Sequence, residues 1–360
     1  MGSLRMCNPQ IIDSIAWYYE TAFHLCIPMK YKKNHYVPEF YLRYFSVVHT
    51  GERKALLWVY DKEGTEPRKQ SPKDTAAIND LYKVSDPGLP PYALESTFSN
   101  QENLVSPILS KWREPGAIPK IPEINELAYF LALLHLRNPK TAKWFEAMAQ
   151  LVLVERAKAL ARDSAQFNRF WETLVAEKNP PPKLTKERFR EMALNFDEHF
   201  VTKIDSKYAT FSPLQHATAI YDELKQFYWC LCRAPSGWNF ITCDSPVIVR
   251  FRKGDGVAFG GGFGHPTAQV IFPISPSVCV YLSRNFSYKA VLVNSTFVKN
   301  ANRRTAINAE RYVFASLISD GIAKLVKKCS FTRQQPRLDK DEIIENIRTK
   351  AIHRKSAISE

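Results

Sequence analysis

The chain reads as an α+β protein, with a helical bundle segregated from a mostly antiparallel, curved β-sheet. Three observations predict this. Between residues 94 and 225 apolar residues recur at the helical period. Between 226 and 316 the period falls to two, in short apolar runs parted by Pro, Gly and Asp. The third is size: 360 residues, 45% hydrophobic and 12% aromatic, supply a core for one large domain or two intimate ones. We expect a helical arm over residues 1–30, a single α+β domain over 31–335, and a charged, partly disordered tail over 336–360.

In chain order, His35–Pro38 should turn into a short helix, because the residue before Pro38 is pushed extended and Glu39 suits a first helical turn. Phe40, Tyr44 and Phe45 crowd that helix and should be mostly buried. ALLWVYD at 55–61 is β-branched and aromatic, hence a strand, and KEGTEP closes it. A further strand is expected around Leu81–Val84, followed by the breaker DPGLPP. Helices follow: Leu94–Trp112 despite Pro107, the nearly all-apolar Asn125–Leu136, then Thr141–Arg162 after the Arg137-Asn138-Pro139 interruption. The triple-proline loop EKNPPPKLTKE is the best linker, followed by helices over 186–205 and 213–225. FYWCLCRA, WNFITCD, PVIVRFR, AQVIFPIS and VCVYLSR are then read as strands of one meander. Asn294–Asn308 returns to helix, and RYVFAS forms a last strand.

Composition excludes several classes. The Ile11–Met29 stretch is interrupted by Asp13, Glu20 and His24, so no clean membrane span or secretory leader is expected. The seven cysteines are odd in number, form no CxxC pair and sit in apolar runs; buried free thiols and a cytoplasmic location follow. The net charge of +14 is clustered. Arg284, Lys289, Lys299, Arg303 and Arg304 occur with no acidic residue between Tyr281 and Arg304. A polyanionic partner explains such an excess, since each neutralised phosphate releases counterions.

No Walker or dinucleotide fingerprint is present, and GGGFG at 260–264 lies between strands, so it reads as a loop. HExxH and GxSxG are absent, and no Glu-x-Lys follows Asp244 within reach for a nuclease site. His135, on an apolar helix, reads as a core histidine. Three polar sites stand out. Asn34-His35 with Glu39 and Arg43 is either an exposed ion pair or a histidine tuned as a base. Thr242-Cys243-Asp244-Ser245-Pro246 is a strand end, open to turn chemistry or to catalysis. Asn79-Asp80 with Glu95 are buried-looking groups that either bind a cationic ligand or pair locally.

HYVPEFYLRYFS, LLWVYDK, SPKDTAAINDLY, ALES, LRNP, FITCDSPV, FPISP and AERYVF occur in order over residues 33–316. Together they resemble a widespread family of formerly unknown function, common in bacteria and fungi, whose hallmark reads roughly HxxVPxFYLRxF. CDSPV stands where that family often has SDNPV. Its fungal members include arginine-containing cyclodipeptide synthases, so the resemblance implies an aminoacyltransferase of secondary metabolism. Such an enzyme would make cyclo(Arg-Xaa) from arginyl-tRNA and a second aminoacyl-tRNA, without ATP, cofactor or membrane. Under this implication His35 is the preferred base, and Asp244, Glu95 and Glu39 are carboxylates for a guanidinium. Ser245 or Tyr41 would accept an acyl group if a covalent step exists, and Asn79 and Asp80 would line the substrate site. Arg43, Arg137, Arg284, Lys289, Lys299, Arg303 and Arg304 would hold tRNA phosphates. The alternatives are a metal-dependent nuclease of toxin or defence type, and a non-catalytic RNA-binding protein.

Overall fold

The computed structural model describes residues 33–48, 53–83, 92–178, 184–251, 262–285 and 289–330. The expected arm and tail lie outside these residues, as do Cys7, Cys26, the DPGLPP breaker and the centre of the proline loop. The fold is α+β.

The strands are β1 (Asn34–His35), β2 (Val47–Val48), β3 (Ala55–Asp61), β4 (Arg68–Gln70), β5 (Ala77–Ile78), β6 (Tyr228–Arg233), β7 (Thr242–Cys243), β8 (Ile248–Arg250), β9 (Gln269–Pro273), β10 (Val278–Ser283), β11 (Ala290–Leu292) and β12 (Tyr312–Ala315). They form two larger sheets, where the sequence suggested one meander. One runs β11-β6-β10-β9-β8; the other runs β2-β3-β12-β7, with β4 on β3. All pairings are antiparallel except β11 with β6. The difference arises at 242–243, where Val313 and Phe314 of β12 claim Cys243 and Thr242. β1 pairs with β5 separately, Asn34 opposite Ile78. The strand expected at 81–84 is not formed by the described residues 81–83; extended pairing stops at Ile78, and Ala76 and Asp80 have φ of 51° and 52°.

Pro38 precedes helix α1 (Glu39–Arg43), in which Tyr41 and Leu42 are wholly buried. The helical layer comprises α2 (Ala93–Arg113), α3 (Ile121–Leu136), α4 (Pro139–Arg162), α5 (Ser164–Lys178), α6 (Lys186–Leu194), α7 (Phe196–His199), α8 (Ser206–Phe211) and α9 (Ala217–Lys225); α10 (Ser295–Asn308) and α11 (Asp320–Ser330) follow in the β-rich part. The helix expected over 186–205 breaks at Asn195, with φ −103° and ψ 46°, and again at extended Phe200. As its composition predicts, α3 is central: Leu127, Ala128, Phe130, Leu131, Ala132 and Leu134 are buried. Among the described residues no helix is long and apolar enough to cross a membrane.

His135 is a core histidine, its ring edge-on to Phe263 at 5.1 Å. Burial pulls its pKa from 6.5 down to about 4, with Lys140 adding to the fall and a bond to the Val247 main chain opposing it. The folded chain therefore binds fewer protons than the unfolded chain between those values. Stability from the neutral ring is complete above pH 6.5 and is lost as pH falls towards 4. Between pH 7.5 and 5, urea denaturation should show His135→Gln losing roughly 1–2 kcal/mol less stability than wild type. Equal losses in the two proteins would remove this account.

Candidate functional site

A polar seam runs through the interior, and the break between α3 and α4 organises it. Pro139 cannot continue α3, so Arg137, Asn138 and Lys140 leave the helix in three directions. The Arg137 side chain, 2% exposed, turns back to α2 and donates from Nη2 to Glu102 Oε1 at 2.9 Å. Its guanidinium lies over Phe98 at 4.8 Å, and its buried Nε has no hydrogen-bond partner. Its carbonyl accepts from the Tyr82 hydroxyl at 2.8 Å.

Glu95 and Glu102 are seven residues apart, two turns, and so share the face of α2 turned to this cation. Glu95 accepts from Asn34 Nδ2 at 2.6 Å, while Asn34 Oδ1 accepts from the Tyr82 amide at 3.4 Å. Asn34 is fully buried and Glu95 half-buried. Burial pushes the Glu95 carboxyl up; the Asn34 bond and Arg137 oppose that shift. Glu102 thus pairs with the internal guanidinium, and the charge of Arg137 also acts on Glu95.

His35 adjoins this group. Its Nε2 contacts the Lys73 carbonyl at 3.1 Å, which can only accept, so the proton sits on Nε2 and Nδ1 keeps its lone pair. Burial lowers the His35 pKa, opposed by the Lys73 bond and by the fields of Glu39 and Glu102. The imidazole is therefore neutral near pH 7. Glu39 pairs with Arg43 at 2.7 Å on the surface.

The other end of the seam is a clamp around Asp244. Its carboxylate accepts from the amides of Glu310, Arg311 and Tyr312 at 2.8, 2.7 and 2.7 Å. Asn138 Nδ2 donates to the Asp244 carbonyl at 2.5 Å. Lys140 Nζ donates to the Asn308 carbonyl at 2.7 Å, and Asn308 Nδ2 to the Ser245 carbonyl at 2.6 Å. Burial pushes the Asp244 carboxyl up, while the three amides and Lys140 hold it down. Burial, and then the Asp244 charge, raise the Tyr36 phenol pKa, and Tyr82 in turn feels Tyr36.

The structure thus bonds Glu95 to Asn34, the residue before His35, while His35 itself contacts the Lys73 carbonyl; it corrects other expectations. Asp244 is buried with both carboxylate oxygens accepting from main-chain amides, so it braces the chain and does not present itself to a guanidinium. Tyr41 is a core residue: its ring stacks on Phe272 at 5.1 Å, and its hydroxyl bonds Thr242 Oγ1 and the Pro273 carbonyl, both at 2.6 Å. Burial lifts its phenol far above the ordinary value, against use as an acyl acceptor. Ser245 is 8% exposed behind the clamp. Asn79 and Asp80 are exposed in the turn after β5 and do not join Glu95; the Asp80 carbonyl accepts from Lys207 Nζ at 2.9 Å.

Arg137 is interior and cannot reach a backbone phosphate. Arg284 is paired with Glu223 at 2.5 Å. Lys289, Lys299 and Arg303 are exposed, Arg304 is half-buried, and Lys299 Nζ lies 4.9 Å from the Trp238 ring centroid. Sequence reasoning missed Glu102, Tyr36, Tyr82 and Lys140. Of these, the Glu95–Glu102 spacing was a usable signal. Among the described residues no group of three or more His, Cys, Asp or Glu could hold a metal ion.

A family model described as a protein of unknown function, DUF4238, matches residues 33–317, the stretch that holds the whole seam. Neither the curated proteins nor the solved structures yield a match.

Proposed function

Because the chain belongs to the DUF4238 family, whose activity the family model leaves open, we propose from the seam's chemistry that it is a tRNA-dependent cyclodipeptide synthase making cyclo(Arg-Xaa). The observation that carries this reading is the half-buried Glu95 carboxylate, which accepts from Asn34 and makes no ion pair among the described residues while Glu102 takes Arg137, in a chain of net charge +14. A surplus internal carboxylate beside Asn34 suits the planar fork of an arginyl side chain. The exposed Lys299 and Arg303 suit the phosphates of a carrier RNA.

The substrate arrives as an activated ester, so no ATP is consumed. Neutral His35 takes a proton at Nδ1 from the α-amine of one aminoacyl group as that amine attacks the ester carbonyl of the other. The ester bond breaks, an amide forms, and the proton leaves with the freed tRNA hydroxyl. The remaining α-amine then attacks the second ester, forming the second amide and releasing the second tRNA. With Tyr41 and Ser245 placed as they are, direct aminolysis is favoured over an acyl-enzyme. The buried thiols Cys230, Cys232, Cys243 and Cys279 fit a reducing cytoplasm.

Purified protein incubated with arginyl-tRNA and a mixture of other aminoacyl-tRNAs should release an arginine-containing diketopiperazine, detected by mass spectrometry without added ATP. His35→Gln should cut the rate by about 100-fold or more while leaving tRNA binding intact. Charged tRNA bound but not consumed would leave an RNA-binding protein. Cleaved RNA that requires magnesium would instead establish the nuclease reading.

A further inference from the structure

A cavity of about 350 Å³ lies at one end of the sheet formed by β8, β9 and β10, away from the seam. Arg250 stands opposite Gln269 across β8 and β9, and Gln269 opposite Ser283 across β9 and β10. Residues directly opposite in a ladder project to the same face, so the three side chains form one row. Thr267, Arg284 and Asn285 complete the polar lining.

The charge balance of this hollow is unusual. Arg284 engages its terminal nitrogens, though its Nε has no acceptor: Nη2 bonds Glu223 Oε2 at 2.5 Å and the Phe263 carbonyl at 3.1 Å, Nη1 reaches Gln226 Oε1 at 3.2 Å, and the guanidinium covers Phe227. Arg250 has no ion-pair partner among the described residues, and its Nε is buried without an acceptor. A half-buried cation with no counter-charge is costly unless an anion completes the site. Two guanidiniums against one carboxylate leave a net positive hollow, with hydroxyl and amide donors in the same row.

We propose that this cavity is a phosphate-binding site, with Arg250 supplying the charge and Gln269 and Ser283 the flanking hydrogen bonds. The volume exceeds that of a lone phosphate and leaves room for an attached sugar, at the small end of ligand sites. The chemistry stands on the cavity alone. That the phosphate belongs to a tRNA strand, and not to a free nucleotide, rests on the function proposed above.

The full-length protein would be titrated with inorganic phosphate and AMP by calorimetry, and with uncharged tRNA by filter binding across a salt series. Arg250→Gln should weaken AMP binding by about tenfold or more and lower the salt slope of tRNA binding by about one. Asn285→Asp, at an exposed lining position, brings a like charge without disturbing packing, so it serves if Arg250→Gln folds poorly. AMP binding lost in both variants with tRNA binding unchanged supports the site and assigns it to a free nucleotide. Wild-type protein that binds neither phosphate nor AMP, with tRNA affinity indifferent to both substitutions, overturns it. Diketopiperazine formed without phosphate binding sinks this site only, whereas phosphate bound without product sinks the synthase reading only.

Discussion

Alanine at position 244 is expected to lower the free energy of unfolding by about 3–5 kcal/mol, read by urea denaturation at pH 7. The carboxylate serves three consecutive amides, those of Glu310, Arg311 and Tyr312. Removing it leaves all three amides without their acceptor at a part-buried site, where each unpaired donor costs about 1–3 kcal/mol unless water reaches it. Asparagine keeps one acceptor but turns an NH2 group towards an amide, so Asp244→Asn should fall between alanine and wild type. Because the clamp fixes the start of β12, the loss should appear in unfolding and not in substrate preference. A change below about 1 kcal/mol for the alanine variant would show that the clamp contributes little.

Glu95→Gln is the second large effect, and it should fall on catalysis. Gln can still accept the Asn34 bond through Oε1, so the fold should keep its midpoint. What disappears is the negative charge. A charge-assisted pair with an arginyl guanidinium is worth about 2–5 kcal/mol when one partner is lost. On that scale kcat/KM for arginyl-tRNA should drop by about 100-fold or more. Affinity for uncharged tRNA, which lacks the guanidinium, should stay the same. If arginine incorporation persists at the wild-type rate, Glu95 is a packing residue and the cation site lies elsewhere.

Much of this fold is legible from residue pattern. Strands Ala55–Asp61 and Val278–Ser283 and helix Ser295–Asn308 follow their hydrophobic periods closely. Helix Ala93–Arg113 survives Pro107 because its buried face, from Phe98 through Val105 and Leu109 to Trp112, outweighs one lost hydrogen bond. The misreading at 81–84 has a local cause. The turn there uses Ala76 and Asp80 in left-handed conformations, with no glycine to mark it. Helix Ser164–Lys178 is legible in Phe167, Phe170, Trp171, Leu174 and Val175, which recur at the helical period, whereas Asp320–Ser330 carries only a short stripe beside a charged stretch.

For the site, residue type drew attention to His35, Glu95 and Asp244 alike. The roles of Glu95 and Asp244 separate only in three dimensions. The partners of Asp244 are main-chain amides, which leave no side-chain signature in a sequence. The exposure of Asn79 and Asp80 likewise depends on where β5 ends, which local propensity does not decide.

The pairing of β3 with β12 has a consequence for how the protein is made. Asp61 meets Tyr312, and Trp58 meets Ala315, across some two hundred and fifty residues. On the ribosome, the early strand must therefore wait for nearly the entire matched region to emerge before its neighbour exists. Until then β3 presents an unfilled edge, open to pairing with a sister chain. Nascent chains that stall before position 312 are the species on which cellular chaperones would be needed most.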